Sequence, residues 1–328
     1  MRHQDVDDAS VLQSNATASS SHHLPQEVVG LAGRLTGSQG RTHMKVGVSF
    51  PTTEVGNDPF VMRDFAQAAE ELGYEYITAI DHVLQARDPA GDDFRAYYTI
   101  DNAFHEPMIL FSYLAAVTEK IGFVTAILIL PQRPTVLVAK QAAQLDLMSG
   151  GRLRLGCGIG WNDLEFDAMH QNFKNRARRV SEQIDVMRQL WTNETITYEG
   201  EFHRIVDAGI NPLPVQKPIP VWIGAFVDAA IRRAGRVADG WLVNPRVAAG
   251  AEAELLFQAF REGAEAAGRN ADDLGIDATV LSGDRGPQAW AADAAAWKEM
   301  GATHLTFRTM AAGVESVDAH IDAIRKFK

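Results

Sequence analysis

An aspartate and a histidine are adjacent at Asp81-His82, directly after an apolar run. A carboxylate can orient an imidazole ring, and the ring can hold or donate a proton near neutral pH. At the end of a strand, His82 is therefore a candidate catalytic residue that could donate to an anionic ligand atom. The same dipeptide is also typical of a helix N-cap or a surface turn, and the residues alone leave both interpretations open.

Three glycines alternate with other residues over positions 156–160, and Trp161 follows them. Such a strand end lacks side chains on one face, so a flat ring or a phosphate could approach the backbone closely. The spacing lacks the third glycine of a dinucleotide fingerprint, and no acid ends a strand about 20 residues later, which argues against a Rossmann fold. Tight packing inside a barrel would explain the glycines equally well.

The single cysteine, Cys157, lies inside this run. We expect it to be a buried apolar residue and not a nucleophile, because no histidine is seen to pair with it. The sequence contains no HExxH motif, no cysteine pair and no ladder of carboxylates, so no metal site is predicted. One cysteine also cannot form an intramolecular disulfide, which argues against a small secreted domain.

The composition is that of a globular protein, with 46% hydrophobic and 22% charged residues in a chain of 328. There are 42 acidic and 31 basic residues, giving a net charge of −11, and no dense basic block that would favour nucleic-acid binding. The longest mostly apolar run, residues 123–131, is about half of what a membrane-spanning helix needs. We therefore expect a cytoplasmic protein that binds neither nucleic acid nor membrane.

Residues 1–44 differ from the rest of the chain. They are rich in Ser, Thr, Gln, Gly and His and show no sustained helical or strand period. Such a segment cannot bury enough apolar area to offset its ordering entropy. The sequence predicts a disordered extension, a leader or a mis-started segment over residues 1–44, and a folded domain over residues 45–328.

Strand and helix patterns alternate from residue 45 onward. The predicted strands are residues 45–50, 74–80, 121–130, 152–158, 220–224, 240–243, 276–281 and 304–307. The predicted helices include residues 59–73, 107–118, 134–148, 180–191, 248–267, 288–300 and 315–327, with another ending at residue 237. Residues 195–198 and 202–205 indicate an inserted hairpin. Eight strand–helix units predict an α/β fold, a (β/α)8 TIM barrel with its chemistry, the hairpin and loops at the C-terminal face.

Residues 131–161, PQRPTVLVAKQAAQLDLMSGGRLRLGCGIGW, closely resemble the luciferase-like monooxygenase superfamily, and in particular its actinobacterial coenzyme F420-dependent oxidoreductases. Further similar stretches are Glu71-Leu72-Gly73-Tyr74, Asp81-His82, Glu165-Phe166, residues 176–182, Trp222-Ile223-Gly224 and residues 238–241. Together they extend from residue 44 to about residue 243. The C-terminal third is similar in pattern alone.

The resemblance implies that the ring of F420, or of FMN in the alternative, lies in the mouth of the barrel. It also implies a bulge in the third strand with a non-prolyl cis peptide, at the bond between Ala126 and Ile127. The loop after the fifth strand would hold the cofactor phosphate at a helix N-terminus. The implied cofactor-binding residues are Asp81, His82, Thr125, Ala126, Ile127, Gly158, Gly160, Trp161, Gly224, Ala225, Phe226 and Val227.

The chain departs from the family pattern at two positions, which affect the expected activity and the expected phosphate contacts. The sugar-phosphate dehydrogenases of the superfamily have a catalytic glutamate after the glycine run, where this chain has Trp161, so that activity is not expected. The sequence Gly224-Ala225-Phe226 also differs from the more common Gly-Gly-x-Ser of the phosphate loop.

The expected function is an F420-dependent oxidoreductase that transfers a hydride between the deazaflavin C5 and a small organic substrate, in a direction the residues do not reveal. One alternative is an FMNH2-dependent two-component monooxygenase that uses O2 and a partner reductase. A second is a non-catalytic flavin-binding or partner barrel. Residues 85–105 and the hairpin near Glu199 are expected to cover the substrate, and a homodimer is expected from the resemblance. The substrate-loop candidates are Phe94, Tyr97, Tyr98 and Phe104.

Overall fold

The computed structural model describes residues 43–87, 98–314 and 316–328, so the predicted extension lies almost entirely outside the described residues. The strands are β1 Lys45–Ser49, β2 Tyr76–Ala79, β3 Gly122–Thr125, β4 Leu128–Ile129, β5 Leu153–Gly158, β6 Ile196–Glu199, β7 Arg204–Ala208, β8 Val221–Ala225, β9 Gly240–Val243, β10 Gly275–Leu281 and β11 His304–Arg308. The helices are α1 Pro59–Glu71, α2 Pro107–Ala116, α3 Thr135–Ser149, α4 Asp163–Ala168, α5 Arg176–Thr192, α6 Asp228–Val237, α7 Ala251–Glu265, α8 Pro287–Glu299 and α9 Val317–Phe327.

The parallel strands form a closed barrel. They follow the order β3-β2-β1-β11-β10-β9-β8-β5-β4, and β3 also pairs with β5, which closes the ring. Because β3 and β4 both pair with β5 and occupy one position, the nine strands make an eight-position barrel. The predicted (β/α)8 fold is confirmed, and β6 and β7 form the predicted antiparallel hairpin.

The third barrel strand is not continuous, so the prediction of one strand over residues 121–130 is wrong. It divides into β3 and β4 at a cis peptide bond between Ala126 and Ile127, the bond that the family resemblance indicated. β3 pairs with the first half of β5, and β4 with its end, at Leu128 opposite Cys157. An uninterrupted apolar run carries no sign of such a division, because both parts are buried and apolar.

The main core lies between the barrel and the surrounding helices. Alternate strand residues such as Val48, Leu155 and Phe307 are completely buried there. Cys157 occupies the same layer with no exposed surface, and burial raises the pKa of its thiol, as expected for an apolar role. A separate cluster formed by Tyr76, Val124, Trp222 and Leu242 fills the barrel interior.

A polar network closes the N-terminal end of the barrel interior. The Arg154 guanidinium donates to Asp277 Oδ2 at 3.0 Å, and the Tyr76 hydroxyl donates to Oδ1 of the same carboxylate at 3.0 Å. Arg154 also lies between the rings of Tyr76 and Trp222, at 4.5 and 4.2 Å. This end is filled by side chains, so a ligand must approach the interior from the C-terminal ends of the strands.

His304 provides a test of this packing. Its ring lies 4.8 Å from that of Trp222, and burial, reinforced by Arg154 and Lys45, lowers its pKa from 6.5 to about 2. The folded protein therefore keeps His304 neutral, while the unfolded chain takes up a proton below pH 6.5. This contribution to stability is full above pH 6.5 and is lost as the pH falls.

We expect His304→Phe to flatten the decrease in unfolding free energy between pH 7 and pH 5, by up to about 1.4 kcal/mol per pH unit. Urea unfolding at several pH values measures this slope. His43→Phe, at a side chain that is 72% exposed, is the matched control and should leave the slope nearly unchanged. Parallel slopes for the wild type and His304→Phe would contradict the prediction.

Candidate functional site

The barrel mouth, formed by the C-terminal ends of the barrel strands, contains His82 directly after β2. The His82 side chain is 8% exposed. Its ring lies 4.9 Å from the ring of Phe104, 5.3 Å from Tyr98 and 5.5 Å from Trp161. A proton-carrying imidazole is thus placed among aromatic rings, where little water surrounds it.

Glu165 on α4 orients this imidazole. His82 Nδ1 lies 3.3 Å from both carboxylate oxygens of Glu165, which is completely buried. The backbone N–H of Val83 also donates to this carboxylate at 2.7 Å. Because an ionised carboxylate can only accept, Nδ1 carries the hydrogen. Within the described residues, Nε2 of His82 has no hydrogen-bond partner.

Sequence reasoning found His82 but assigned no role to Glu165. The glutamate appeared there in a stretch similar to the family, and α4 was absent from the predicted elements. A six-residue helix is too short to show a period, although Asn162 caps it by accepting from the N–H of Leu164 at 3.2 Å. Asn162, a residue type that commonly caps a helix N-terminus, was the available sequence signal for the start of α4.

Asp81 has both carboxylate oxygens engaged. Oδ1 accepts from Arg133 at 2.7 Å, and Oδ2 accepts from the backbone N–H of Ile129 at 3.0 Å. Arg133 also donates to Glu106, the N-cap of α2, at 2.9 Å. Burial raises the pKa of Asp81, while Arg133 and the Ile129 N–H counteract that rise. Asp81 therefore connects β2 to β4 and α2, and positions the strands of the mouth.

Three glycines, Gly156, Gly158 and Gly224, leave one side of the mouth without side chains, and we call them the glycine wall. A Cβ atom on Gly158 or Gly224 would overlap the side chain of Ile127, and one on Gly156 would overlap the carbonyl oxygen of Thr125. The Thr125 hydroxyl donates to the Gly156 carbonyl at 2.7 Å. The glycine wall thus provides the space into which the Ala126–Ile127 bulge projects.

The loop from Gly160 to α5 holds Trp161 at the mouth. Gly160 has φ +70°, a conformation that favours glycine. Arg176 donates through Nε to the Gly160 carbonyl at 3.3 Å and through Nη1 to the Phe173 carbonyl at 2.8 Å. Arg176, the first residue of α5, therefore holds both ends of this loop in place.

The loop after β8 leads into α6. Ala225 is buried, whereas Phe226 and Val227 are 60% and 51% exposed. Val227 is the N-cap of α6, and no side chain caps this end. Its backbone N–H groups are therefore open to an anion, although Asp228 adds a carboxylate to the first turn and pairs with Arg232 at 2.9 Å.

Of the substrate-loop candidates, Tyr98 and Phe104 lie against His82. Phe94 and Tyr97 lie outside the described residues. The hairpin is attached to α5, because Glu182 accepts from the backbone N–H groups of Glu201 and Phe202, at 2.9 Å each. Glu199 at its tip is exposed and pairs with Arg204 at 3.3 Å.

In residues 43–87, 98–314 and 316–328, no cluster of three or more His, Cys, Asp or Glu could hold a metal ion. Over the same residues, no helix is long and apolar enough to cross a membrane. A groove of about 610 Å³, lined by Phe257, Arg261 and Glu299 among others, lies between α7 and α8.

Comparison with known proteins places this site in a family context. A model of the luciferase-like monooxygenase family matches residues 38–324. An uncharacterised protein of Mycobacterium tuberculosis is 37% identical over 185 residues, which cover 54% of this chain and 62% of that protein. The chain thus matches about three fifths of the length of this relative.

Two relatives have named activities. An F420-dependent glucose-6-phosphate dehydrogenase of Kribbella flavida is 30% identical over 268 residues, which cover 79% of this chain and 76% of the relative. An FMNH2-dependent dimethylsulfone monooxygenase of Pseudomonas putida is 34% identical over 231 residues, which cover 69% of this chain and 59% of the relative.

Solved structures support the same fold at lower identity. A monooxygenase of Streptomyces bottropensis has a TM-score of 0.72 and 20% identity, with 87% of this chain and 97% of that chain covered. The F420-dependent tetrahydromethanopterin reductase of Methanopyrus kandleri has a TM-score of 0.69 and 19% identity, with coverages of 86% and 97%.

The contacts of Glu165 predict that its replacement by glutamine destabilises the fold. Glu165→Gln replaces one of the two accepting oxygens by an NH2 group, which then faces either the Val83 N–H or the His82 Nδ1–H donor. We expect a loss of about 2 kcal/mol in the free energy of unfolding, because one buried donor loses its acceptor. Urea unfolding at pH 7 measures it, with Glu119→Gln at an exposed position as the control. Equal stability of the two variants would contradict the assigned role of Glu165.

Proposed function

The chain belongs to the luciferase-like monooxygenase family, and we propose that it is an oxidoreductase that transfers a hydride between coenzyme F420 and a small organic substrate. The observation that carries this proposal is the meeting of the glycine wall, the Ile127 side chain and the Glu165-oriented His82 at one barrel mouth. The F420-dependent relative at 30% identity supports the choice of cofactor.

The residues of the mouth fit a flat tricyclic ring with a phosphate-bearing tail. Ile127 fills the space in front of Gly158 and Gly224 and offers an apolar surface against which a planar group could lie. The uncapped N-terminus of α6 would hold the phosphate through backbone N–H groups. When bound, F420 supplies a site at C5 that accepts or donates a hydride.

His82 would accept or donate a proton at Nε2. Glu165 holds Nδ1–H, so Nε2 is the nitrogen left to accept or release a proton. Trp161, Tyr98 and Phe104 surround the ring and limit the access of water. A fixed imidazole in such surroundings can stabilise charge that develops on the reacting groups without reorganising.

The position of Trp161 bears on the substrate. The resemblance implied that sugar-phosphate dehydrogenases of the superfamily carry a catalytic glutamate at this position. An indole cannot transfer a proton as a carboxylic acid does, and its ring enlarges the aromatic surface beside His82. The proposed substrate is therefore an organic molecule with an apolar part, and not glucose 6-phosphate.

The second candidate function is an FMNH2-dependent monooxygenase. The Pseudomonas putida relative at 34% identity favours it, and the same mouth would accept the flavin ring. In that case a separate reductase would supply reduced flavin, and O2 would be the second substrate. The two candidates differ in the cofactor that binds and in the requirement for O2.

A second copy of the chain is the proposed partner for one face of the barrel. Ile109 on α2 is 70% exposed, and Val136 and Leu137 on α3 are 45% and 52% exposed. These helix N-termini are held together by the Arg133–Glu106 ion pair. The sequence of α2, PMILFSYLAA, is apolar on all sides, although one side faces out of the barrel. A helix of this kind is stable when both sides are covered.

Cofactor titration tests the proposed function. We expect F420 to bind at micromolar concentration or tighter, and FMN to bind about tenfold more weakly, as followed by cofactor fluorescence. Gly224→Ala should weaken F420 binding about tenfold, because the added Cβ displaces Ile127 into the space of the ring.

Gly286→Ala is the matched control, since a Cβ on this N-cap residue of α8 meets nothing within 4 Å and does not touch Ile127. It should bind F420 as the wild type does. A preference for FMN would support the monooxygenase candidate instead. Absence of binding for both cofactors would overturn the enzyme proposal.

Mass measurement in solution tests the proposed dimer. The wild type should have twice the mass of one chain, and Ile109→Glu should reduce it to a single chain by burying an unpaired charge at the contact. Leu255→Glu on α7, where the leucine is 68% exposed, introduces the same charge elsewhere and should remain dimeric. A wild type with the mass of one chain would refute the proposed contact.

A further inference from the structure

Arg308 is the last residue of β11 and lies at the barrel mouth. Alternate residues of this strand face the barrel interior: the His304 ring contacts Trp222, and the Thr306 hydroxyl donates to Asp277 at 3.0 Å. The same alternation turns Arg308 inward, one step nearer the mouth. Its Cα lies opposite that of Leu281, the last residue of β10.

Arg308 is partly buried as a residue, and its guanidinium makes no hydrogen bond or ion pair within the described part of the chain. Three carboxylates at this end of the barrel bind other groups. Asp81 pairs with Arg133, and Glu165 with His82. Glu54, in the loop after β1, accepts from the Ala311 N–H at 2.7 Å.

The guanidinium nitrogens of Arg308 remain in contact with solvent, so their five N–H donors are available to a ligand. Its planar fork matches the oxygens of a carboxylate or a phosphate, and such pairs are frequently bidentate. The arrangement is therefore suited to an anionic group that enters the mouth.

The position of Arg308 in the ring of strands separates it from the proposed cofactor phosphate site. β11 neighbours β1, which neighbours β2, the strand before His82. β8, which leads to α6, lies three positions from β11 in the other direction. An anion bound by Arg308 would thus be on the His82 side of the mouth, away from α6.

We propose that Arg308 binds an oxyanion of the substrate, a carboxylate or a phosphate, and so selects anionic organic substrates. The identification of the bound anion as a substrate rests on the proposed function. The anion site itself follows from the position of Arg308 alone. The aromatic rings beside His82 would receive the apolar part of the same molecule.

Calorimetric titration with benzoate, phenyl phosphate and neutral benzamide, without any cofactor, tests the site. The wild type should bind at least one of the anions about tenfold more tightly than benzamide, and Arg308→Gln should abolish that difference. Arg308→Lys should retain part of it, because the charge remains and the fork is lost. Arg325→Gln, on the exposed face of α9, removes an equal charge and should behave as the wild type.

A parallel F420 titration of Arg308→Gln distinguishes the possible failures. Unchanged F420 affinity with lost anion binding supports the inference. Weakened F420 binding with unaltered anion binding would make Arg308 a cofactor residue and overturn it, as would anion binding that is absent or independent of Arg308. If F420 fails to bind the wild type while anions still need Arg308, the proposed function fails and the anion site stands.

Discussion

The contact of Ile127 with the glycine wall determines the shape of the barrel mouth. The bulge at Ala126 and Ile127 points the isoleucine into the barrel, and the positions it meets, Gly158 and Gly224, are on two other strands. A methyl group at either position would occupy the volume that the isoleucine fills. The mouth can therefore form only when the isoleucine of one strand meets glycines on two others. A close-packed interior does not accommodate an extra carbon without movement.

Two buried carboxylates maintain this arrangement from the other side of the mouth. Asp81 holds the N–H of Ile129, two residues beyond the bulge, and it is itself held by Arg133. Glu165 holds the backbone that follows β2 and the ring of His82. Both acids act through other groups, since their oxygens are occupied by protein donors. Within the described residues, His82 Nε2 and the Arg308 guanidinium have no protein partner.

The sequence predicted the barrel well because its signals are local. Strands and amphipathic helices alternate over residues 45–328 with periods that are visible in the sequence. The turn between its two strands indicated the hairpin. The division of the third strand is not a local signal, since it depends on the glycines of β5 and β8. The identification of Ala126–Ile127 came from the family resemblance. Glu165 was missed because α4 is short, and Arg308 because a cation at a strand end appears ordinary until its neighbours are known.

The mouth has two chemically different sides, and this difference limits what the barrel can do. On the side of β5 and β8 the wall is backbone and one isoleucine, which suits a planar group and offers it no titratable partner. On the side of β2 and β11 lie an oriented imidazole and a guanidinium that has no hydrogen-bond or ion-pair partner among the described residues. A ring bound to the first side leaves its open face toward the second, where a reacting molecule would meet both a proton carrier and a positive charge. The chemistry of such a barrel can therefore change through the residues that follow β2 and end β11, without any change in the glycine wall.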